Sequence, residues 1–260
     1  MEPEKYSNVN SKKVLKPAEY SKVKASENLF ERAAVTQTEK AYVLLEEMIV
    51  TGELPPGSQW SENVLSERLG IGRSPTRDAL QKLAFQRLVH IAPRQGIFIS
   101  EIDYQGQLKI IQSRREIEKL IVAQAALYAT EQERAEMSKL IAELEKLKIQ
   151  RDMQKYMRVH FNLTKAVGNA ARNIYAAEFY AMLQTLARRF LYFHQDRYPS
   201  LGKICDLHIN QLNAIINGAP DAAREAAVLR NDYAEERTRN IVMELIASSD
   251  VTFSVSSRKS

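Results

Sequence analysis

The sequence predicts a mainly α protein: an N-terminal winged helix-turn-helix (three helices plus a β-hairpin wing) followed by an all-α bundle of six to seven helices. Three stretches predict it. Residues 61–83, S-E-N-V-L-S-E-R-L-G-I-G-R-S-P-T-R-D-A-L-Q-K-L, read as two short helices around a glycine-containing turn. Residues 88–99, L-V-H-I-A-P-R-Q-G-I-F-I, read as two β-rich runs around a Pro/Gly loop. From about 107 to 246, apolar residues recur at helical spacing, with breaks at 168–169, 199–202 and 218–220.

Composition sets the outer bounds. A chain of 260 residues with 45% hydrophobic and 27% charged side chains has room for about two cores, and its net charge of +5 permits a polyanionic partner without demanding one. The single cysteine, Cys205, excludes an internal disulfide framework and a cysteine-rich zinc site, and fits a reducing cytosol. No apolar run approaches the ~18 residues that span a bilayer, so a cytoplasmic protein with no membrane partner is expected.

Residues 1–34 are polar and lysine-rich and read as a flexible arm. The winged domain is expected over 35–101. Ala41, Leu44, Leu45, Met48 and Ile49 trace its first helix, which should end near Thr51-Gly52. Ser61 is placed to cap the second, Val64, Leu65 and Leu69 form its apolar face, and Gly70 supplies a left-handed stop. Ser74 is placed to cap the third, with Pro75 at its first position and Leu80 and Leu83 inward. A linker is expected at 102–106. The bundle then spans 107–247, with helices near 107–128, from the Thr130 cap, 152–168, 171–194, 203–217 and 220–246, and a flexible tail at 248–260. Tyr175, Phe179 and Tyr180 read as core or dimer contacts, His90 as packing at the wing base, and His194 as closing its helix against the core.

Charge along the winged domain is segregated. From Arg68 to Arg94 there are six basic residues against the single acid Asp78, while the glutamates lie outside that window. Arg73, Ser74, Thr76 and Arg77 sit at the start of the third helix. Free N–H groups and the helix dipole favour phosphate there, and an arginine fork matches guanine or phosphate. An ordinary helical hairpin with solvated arginines would carry the same residues, and the wing that follows is what argues against it.

With that wing in place, about 65 consecutive residues of the 35–101 domain resemble the DNA-binding domain of GntR-family transcription factors, through a first helix, T-G-E-L-P-P-G-S (51–58), the 61–83 stretch and the 88–99 hairpin. The resemblance implies a homodimer on a palindromic double-stranded operator. Arg73, Ser74 and Arg77 would be its DNA contacts, and the wing tip at Arg94, Gln95 and Gly96 would reach the minor groove. Two positions depart from the family pattern: Asn63 stands where arginine is frequent, and Arg87 where a glycine usually closes the recognition helix.

The second half is similar to the FCD domain of the FadR-like subfamily, through R-R-E-I-E (114–118), H-F-N-L-T-K-A-V-G-N (160–169) and H-I-N-Q-L-N-A-I-I-N-G-A-P-D (208–221). That resemblance implies a dimerising bundle that senses a small molecule, often a carboxylate held by a divalent metal. His160 and His208 match two metal positions, whereas Tyr156 replaces an aspartate and Asp232 the last histidine. Two readings follow. Either His160, His208 and Asp232 hold zinc, nickel or manganese, or Arg114, Tyr156, His160 and His208 meet an effector directly.

The expected protein is therefore an effector-controlled regulator, more a repressor than an activator. An effector-independent regulator whose bundle only dimerises is the alternative. An enzyme has little support, since the sequence holds no phosphate loop, nucleophile elbow or motif-placed carboxylate pair.

Overall fold

The computed structural model describes residues 36–104, 106–197 and 200–256; the expected arm at 1–34 lies outside the described residues. Helix α1 (Gln37–Val50) is capped by the Thr36 hydroxyl, which accepts from the Glu39 amide, and it buries Ala41, Leu45 and Ile49 completely. Strand β1 (Gln59–Trp60) leads into α2 (Glu62–Leu69), capped by Ser61 as expected and stopped by Gly70 at φ 64°. Helix α3 (Arg73–Phe85) starts one residue earlier than the sequence suggests. Its N-cap is Gly72, with no side-chain cap bond, so Ser74 lies inside the first turn.

The wing is β2 (Val89–Ala92) and β3 (Gly96–Ile99), joined through Pro93, Arg94 and Gln95. Strand β1 pairs with the free edge of β3, giving a three-stranded antiparallel sheet in the order β1-β3-β2 where the sequence predicts only a hairpin. Gly96 is required here, because a Cβ would lie 2.7 Å from the Trp60 carbonyl oxygen on the neighbouring strand. Leu45, Ile49, Leu65, Leu80, Leu83, Leu88, Val89, Ile97 and Ile99 form the core between helices and sheet. His90 points outward and is exposed, so the expected packing role is corrected.

The end of α3 shows how Arg87 fits its unusual place. The Leu88 amide donates to the Leu83 carbonyl and the Arg87 amide to that of Ala84, both at 3.0 Å, the paired bonds of a Schellman stop. The residue in the left-handed position of that motif is Arg87, at φ 62°. A side chain there costs about 1 kcal/mol relative to glycine. Arg87→Gly is therefore expected to raise the unfolding free energy of the winged domain by up to about 1 kcal/mol, read as a higher urea midpoint.

Six helices form the bundle: α4 (Gln107–Tyr128), α5 (Glu131–Gln150), α6 (Met153–Ala170), α7 (Ile174–Phe193), α8 (Leu201–Ile216) and α9 (Pro220–Ser256). Thr130 and Glu133 make a reciprocal capping box for α5, and Asp152, Asn173 and Ser200 cap the next three. Helix α9 continues past 247 to Ser256, where the sequence predicts a flexible tail. Tyr180 is fully buried in the bundle core, but Tyr175 and Phe179 are 79% and 50% exposed. His194 ends α7 and its Nδ1 meets the Phe190 carbonyl, as expected of a helix-closing residue. No helix among the described residues is long and apolar enough to cross a membrane.

The winged domain docks on the bundle through α1. Glu39 pairs with Lys165 (2.8 Å), Glu47 with Arg158 (2.6 Å), and Glu46 is buried against Arg188 and Thr185. Arg189 donates to the Ser100 carbonyl (2.5 Å), and the Phe193 ring packs under Gly52.

Candidate DNA-contact surface and buried cationic cavity

Two sites emerge, one in each half. The first is the exposed N-terminal end of α3. Arg73, Ser74 and Arg77 are all exposed there, beside free backbone N–H groups that suit an anion. Arg77 is held by Glu62 across the helix-turn-helix, with Nε and Nη2 each donating at 2.9 Å, so the guanidinium is oriented before any partner arrives. Asn63, Arg94 and Gln95 are also exposed. Gly96 serves as a close-approach residue between strands.

Thr76 is a correction. It is completely buried, and its hydroxyl donates to the Gly72 carbonyl at 3.0 Å. Successive helix positions differ by 100°, so Thr76, between half-buried Pro75 and exposed Arg77, need not share the exposed face. Thr76 shapes the helix start and does not reach DNA.

The second site lies inside the bundle. Arg114 and Glu118, one turn apart on α4, are both buried. Tyr156 and His160, one turn apart on α6, face them with His208 of α8 and Arg230 of α9 around a cavity of about 50 Å³. The Tyr156 hydroxyl meets His208 Nε2 at 3.0 Å, and the His160 and His208 rings lie 4.7 Å apart. Arg114, Tyr156, His160 and His208 thus come together as the sequence reading expects.

Glu118 is the hub of the site. It accepts from Arg230, from the Gln211 amide (2.8 Å) and from the Asn231 amide (2.9 Å), while Arg114 donates to Asn231 Oδ1 (2.9 Å). Burial opposes ionisation of Glu118, but the charges of Arg230 and Arg114 outweigh it and hold its pKa below the usual value. Burial opposes the charge on Arg230 as well, and Glu118 more than compensates. The sequence reading missed Arg230, Asn231 and Gln211. Only Glu118 carried a local signal, four residues after Arg114 in R-R-E-I-E.

The histidines are neutral. Burial first, then the positive charges of Arg230 and Arg114, push His160 down to about 3, and the same causes together with His160 hold His208 well below its usual value. Unfolding exposes both rings to water, where they titrate near 6.5, so the unfolded chain binds protons that the folded chain refuses. Stability should therefore be lost as pH falls from about 6.5 toward 3, with a limiting slope of about 1.4 kcal/mol per pH unit for each histidine. Urea midpoints measured from pH 7 to pH 5 should fall, and the slope should flatten in His160→Gln and His208→Gln.

Asp232 is the second correction. It faces outward, 55% exposed at its side chain, and pairs with Arg115. Arg230 and Asn231 take the inward positions on α9. With Asp232 gone, no group of three potential ligands gathers among the described residues. Glu118 is committed to three donors, His208 Nε2 to Tyr156, and three guanidiniums, of Arg114, Arg188 and Arg230, line the same space. This donor set does not fit zinc, nickel or manganese, and it does fit an anion met directly by the side chains.

A helix-turn-helix that presents arginines, joined to a helical bundle that encloses a cavity lined by arginines and histidines, has the architecture of a DNA-binding protein with a second, helical domain. Comparison with known proteins agrees. Residues 37–99 match the family model described as bacterial regulatory proteins, gntR family, and residues 109–230 match the FCD domain. The chain belongs to the GntR family of transcriptional regulators and carries an FCD domain. Among curated relatives, a regulator in an unstable DNA locus of Streptomyces ambofaciens is 40% identical over 68 residues, 26% of this chain and 29% of that protein. The HTH-type transcriptional regulator McbR of Escherichia coli (strain K12) is 29% identical over 116 residues, 45% of this chain and 52% of that protein. These two alignments thus span about half or less of either relative. The transcriptional repressor RspR of the same strain aligns more fully, at 23% identity over 207 residues, 79% of this chain and 90% of that protein. The solved structure of E. coli McbR/YncC shares the fold, with a TM-score of 0.65 at 21% identity over 82% of this chain and 99% of that one.

Proposed function

We propose that this protein is a homodimeric, sequence-specific transcriptional repressor that binds a palindromic operator and responds to a small carboxylate in the bundle cavity. The observation that carries the reading is one chain presenting Arg73, Ser74 and Arg77 outward on α3 and enclosing Arg114, Arg230 and two neutral histidines within its bundle.

In this reading α3 enters the major groove by its N-terminal end, with Arg73 and Arg77 on base edges or phosphates and the wing tip alongside. Exposed Tyr175 and Phe179, one turn apart on α7, offer an apolar surface to a second copy. Three guanidiniums line the cavity, Arg114, Arg188 and Arg230, against two buried carboxylates, Glu118 and Glu46, which leaves it short of negative charge that a carboxylate would supply. At about 50 Å³ the cavity suits a ligand of only a few heavy atoms unless it expands. To switch operator occupancy, that ligand must favour one arrangement of the two reading heads by about 1–3 kcal/mol.

Gel-shift titration of selected operator DNA against a panel of small carboxylates tests the reading. His208→Ala should keep the operator affinity of the unliganded protein and lose most of the carboxylate response. An unaltered dose response would remove the cavity as the effector site, and indifference of the wild type to every acid would favour a bundle that only dimerises.

A further inference from the structure

Three arginines line the bundle cavity beside the histidines, and two of them are balanced from within the bundle. Arg230 pairs with Glu118, and Arg114 is held by Asn231 and Glu118. Arg188 of α7 is different. It is 2% exposed and lines the same cavity, yet its charge is balanced by Glu46 of α1, in the winged domain. Thr185 donates to the same Glu46 carboxylate at 3.0 Å. Arg188 also lines a second, smaller space of about 20 Å³ between α1, α6 and α7, with Glu46, Val50 and Phe161. A single guanidinium therefore stands between the sensory cavity and the helix that docks the reading head.

That guanidinium has donor capacity to spare. Its Nε is buried without a hydrogen-bond partner. Burial also opposes its charge and pushes its pKa down to about 10. An anion placed on the cavity side would find a desolvated cation with an open donor. Glu46 is equally exposed to the exchange. It is 3% exposed as a residue, and a carboxylate so buried that loses its arginine must regain water or another partner. Regaining water means moving α1 away from α7.

We propose that Arg188 is a ligand-contact residue shared between the two halves: an anion entering the bundle cavity takes hydrogen bonds from Arg188 in competition with Glu46, and so loosens the hold of the bundle on the reading head. The proposal rests on the cavity being the effector site. It adds which residue carries the signal outward, and it fixes a sign by reciprocity, since whatever weakens Glu46 must strengthen the anion.

The experiment uses the full-length protein with acetate, malonate and succinate as probes. Calorimetry measures probe binding, gel shift measures operator affinity, and hydrogen exchange follows the α1 amides. Glu46→Gln removes the competing charge and leaves the cavity lining intact. It should bind the tightest probe about tenfold more strongly than wild type, show raised α1 exchange without any probe, and lose the operator response. Arg188→Lys is the companion variant. It keeps a cation opposite Glu46 but loses the fork, so it should hold α1 as wild type does and bind the probe about tenfold more weakly. Circular dichroism and melting confirm that both variants fold. If a probe binds wild type and Glu46→Gln with equal affinity and both respond alike at the operator, Arg188 is not shared and the inference falls while the effector cavity stands. If no probe binds either protein, the cavity reading falls and takes the inference with it.

Discussion

Replacing Glu118 by alanine is expected to destabilise the bundle by about 3–5 kcal/mol, the cost of leaving buried charge uncompensated. The residue is fully buried and balances Arg230 and Arg114, which are buried with it. Removing it also takes away the acceptor of the Gln211 amide and one of the two acceptors of the Asn231 amide, which keeps the Ala227 carbonyl. Glu118→Gln separates charge from shape, since it keeps an acceptor and loses the negative charge. A further result distinguishes this site from a merely structural ion pair. Glu118→Ala should recover part of its lost stability in molar formate or acetate, because a small carboxylate can occupy the space beside the two guanidiniums. Thermal melting in formate against chloride at matched ionic strength reads it. Equal melting points in the two salts would show that the cavity does not admit a carboxylate.

Replacing Arg77 by alanine is expected to reduce specific operator affinity at least about thirtyfold while leaving folding and oligomeric state unchanged. Each bidentate arginine contact distinguishes its base by a sizeable factor, and a two-fold operator counts the loss twice. The fold should be indifferent, because the side chain is 61% exposed and its pair with Glu62 lies at the surface. Gel shift on operator and random DNA at fixed salt provides the readout, with circular dichroism and gel filtration as controls. Retained specific binding would show that α3 does not enter the groove by its N-terminal end. Arg94→Ala at the wing tip should instead weaken operator and random DNA to similar extents, as expected of a phosphate or minor-groove contact.

Much of this was legible in the chain. The Ser61 cap, the Gly70 stop, the Thr130 cap and the break near 218–220 are local features, settled within a few residues of backbone, and each occurs where the pattern indicates, whereas the break expected at 168–169 falls inside a helix that runs on to Ala170. The gathering of Arg114, Tyr156, His160 and His208 followed from resemblance rather than periodicity, and the folded chain brings them together. Two of the failures share one physical cause. Thr76 and Asp232 were assigned by position in a motif, and both turn away from the expected face because a helix rotates 100° per residue. Asp232 lies two positions after Arg230, a rotation of about 200° that puts them on nearly opposite sides of α9, one in solvent with Arg115 and the other on Glu118.

The sequence by itself determined the local architecture: which segments are helical, where several of them are capped, and that arginines crowd the start of the recognition helix. Tertiary structure alone decided which charges meet. Glu118 finds Arg230 across 112 residues and Glu46 finds Arg188 across 142, separations that no local pattern encodes. Caps and periodicity depend on neighbours in the chain, whereas a buried charge takes whichever partner the packed helices bring within reach. The cavity and the link from bundle to reading head are therefore properties of the fold.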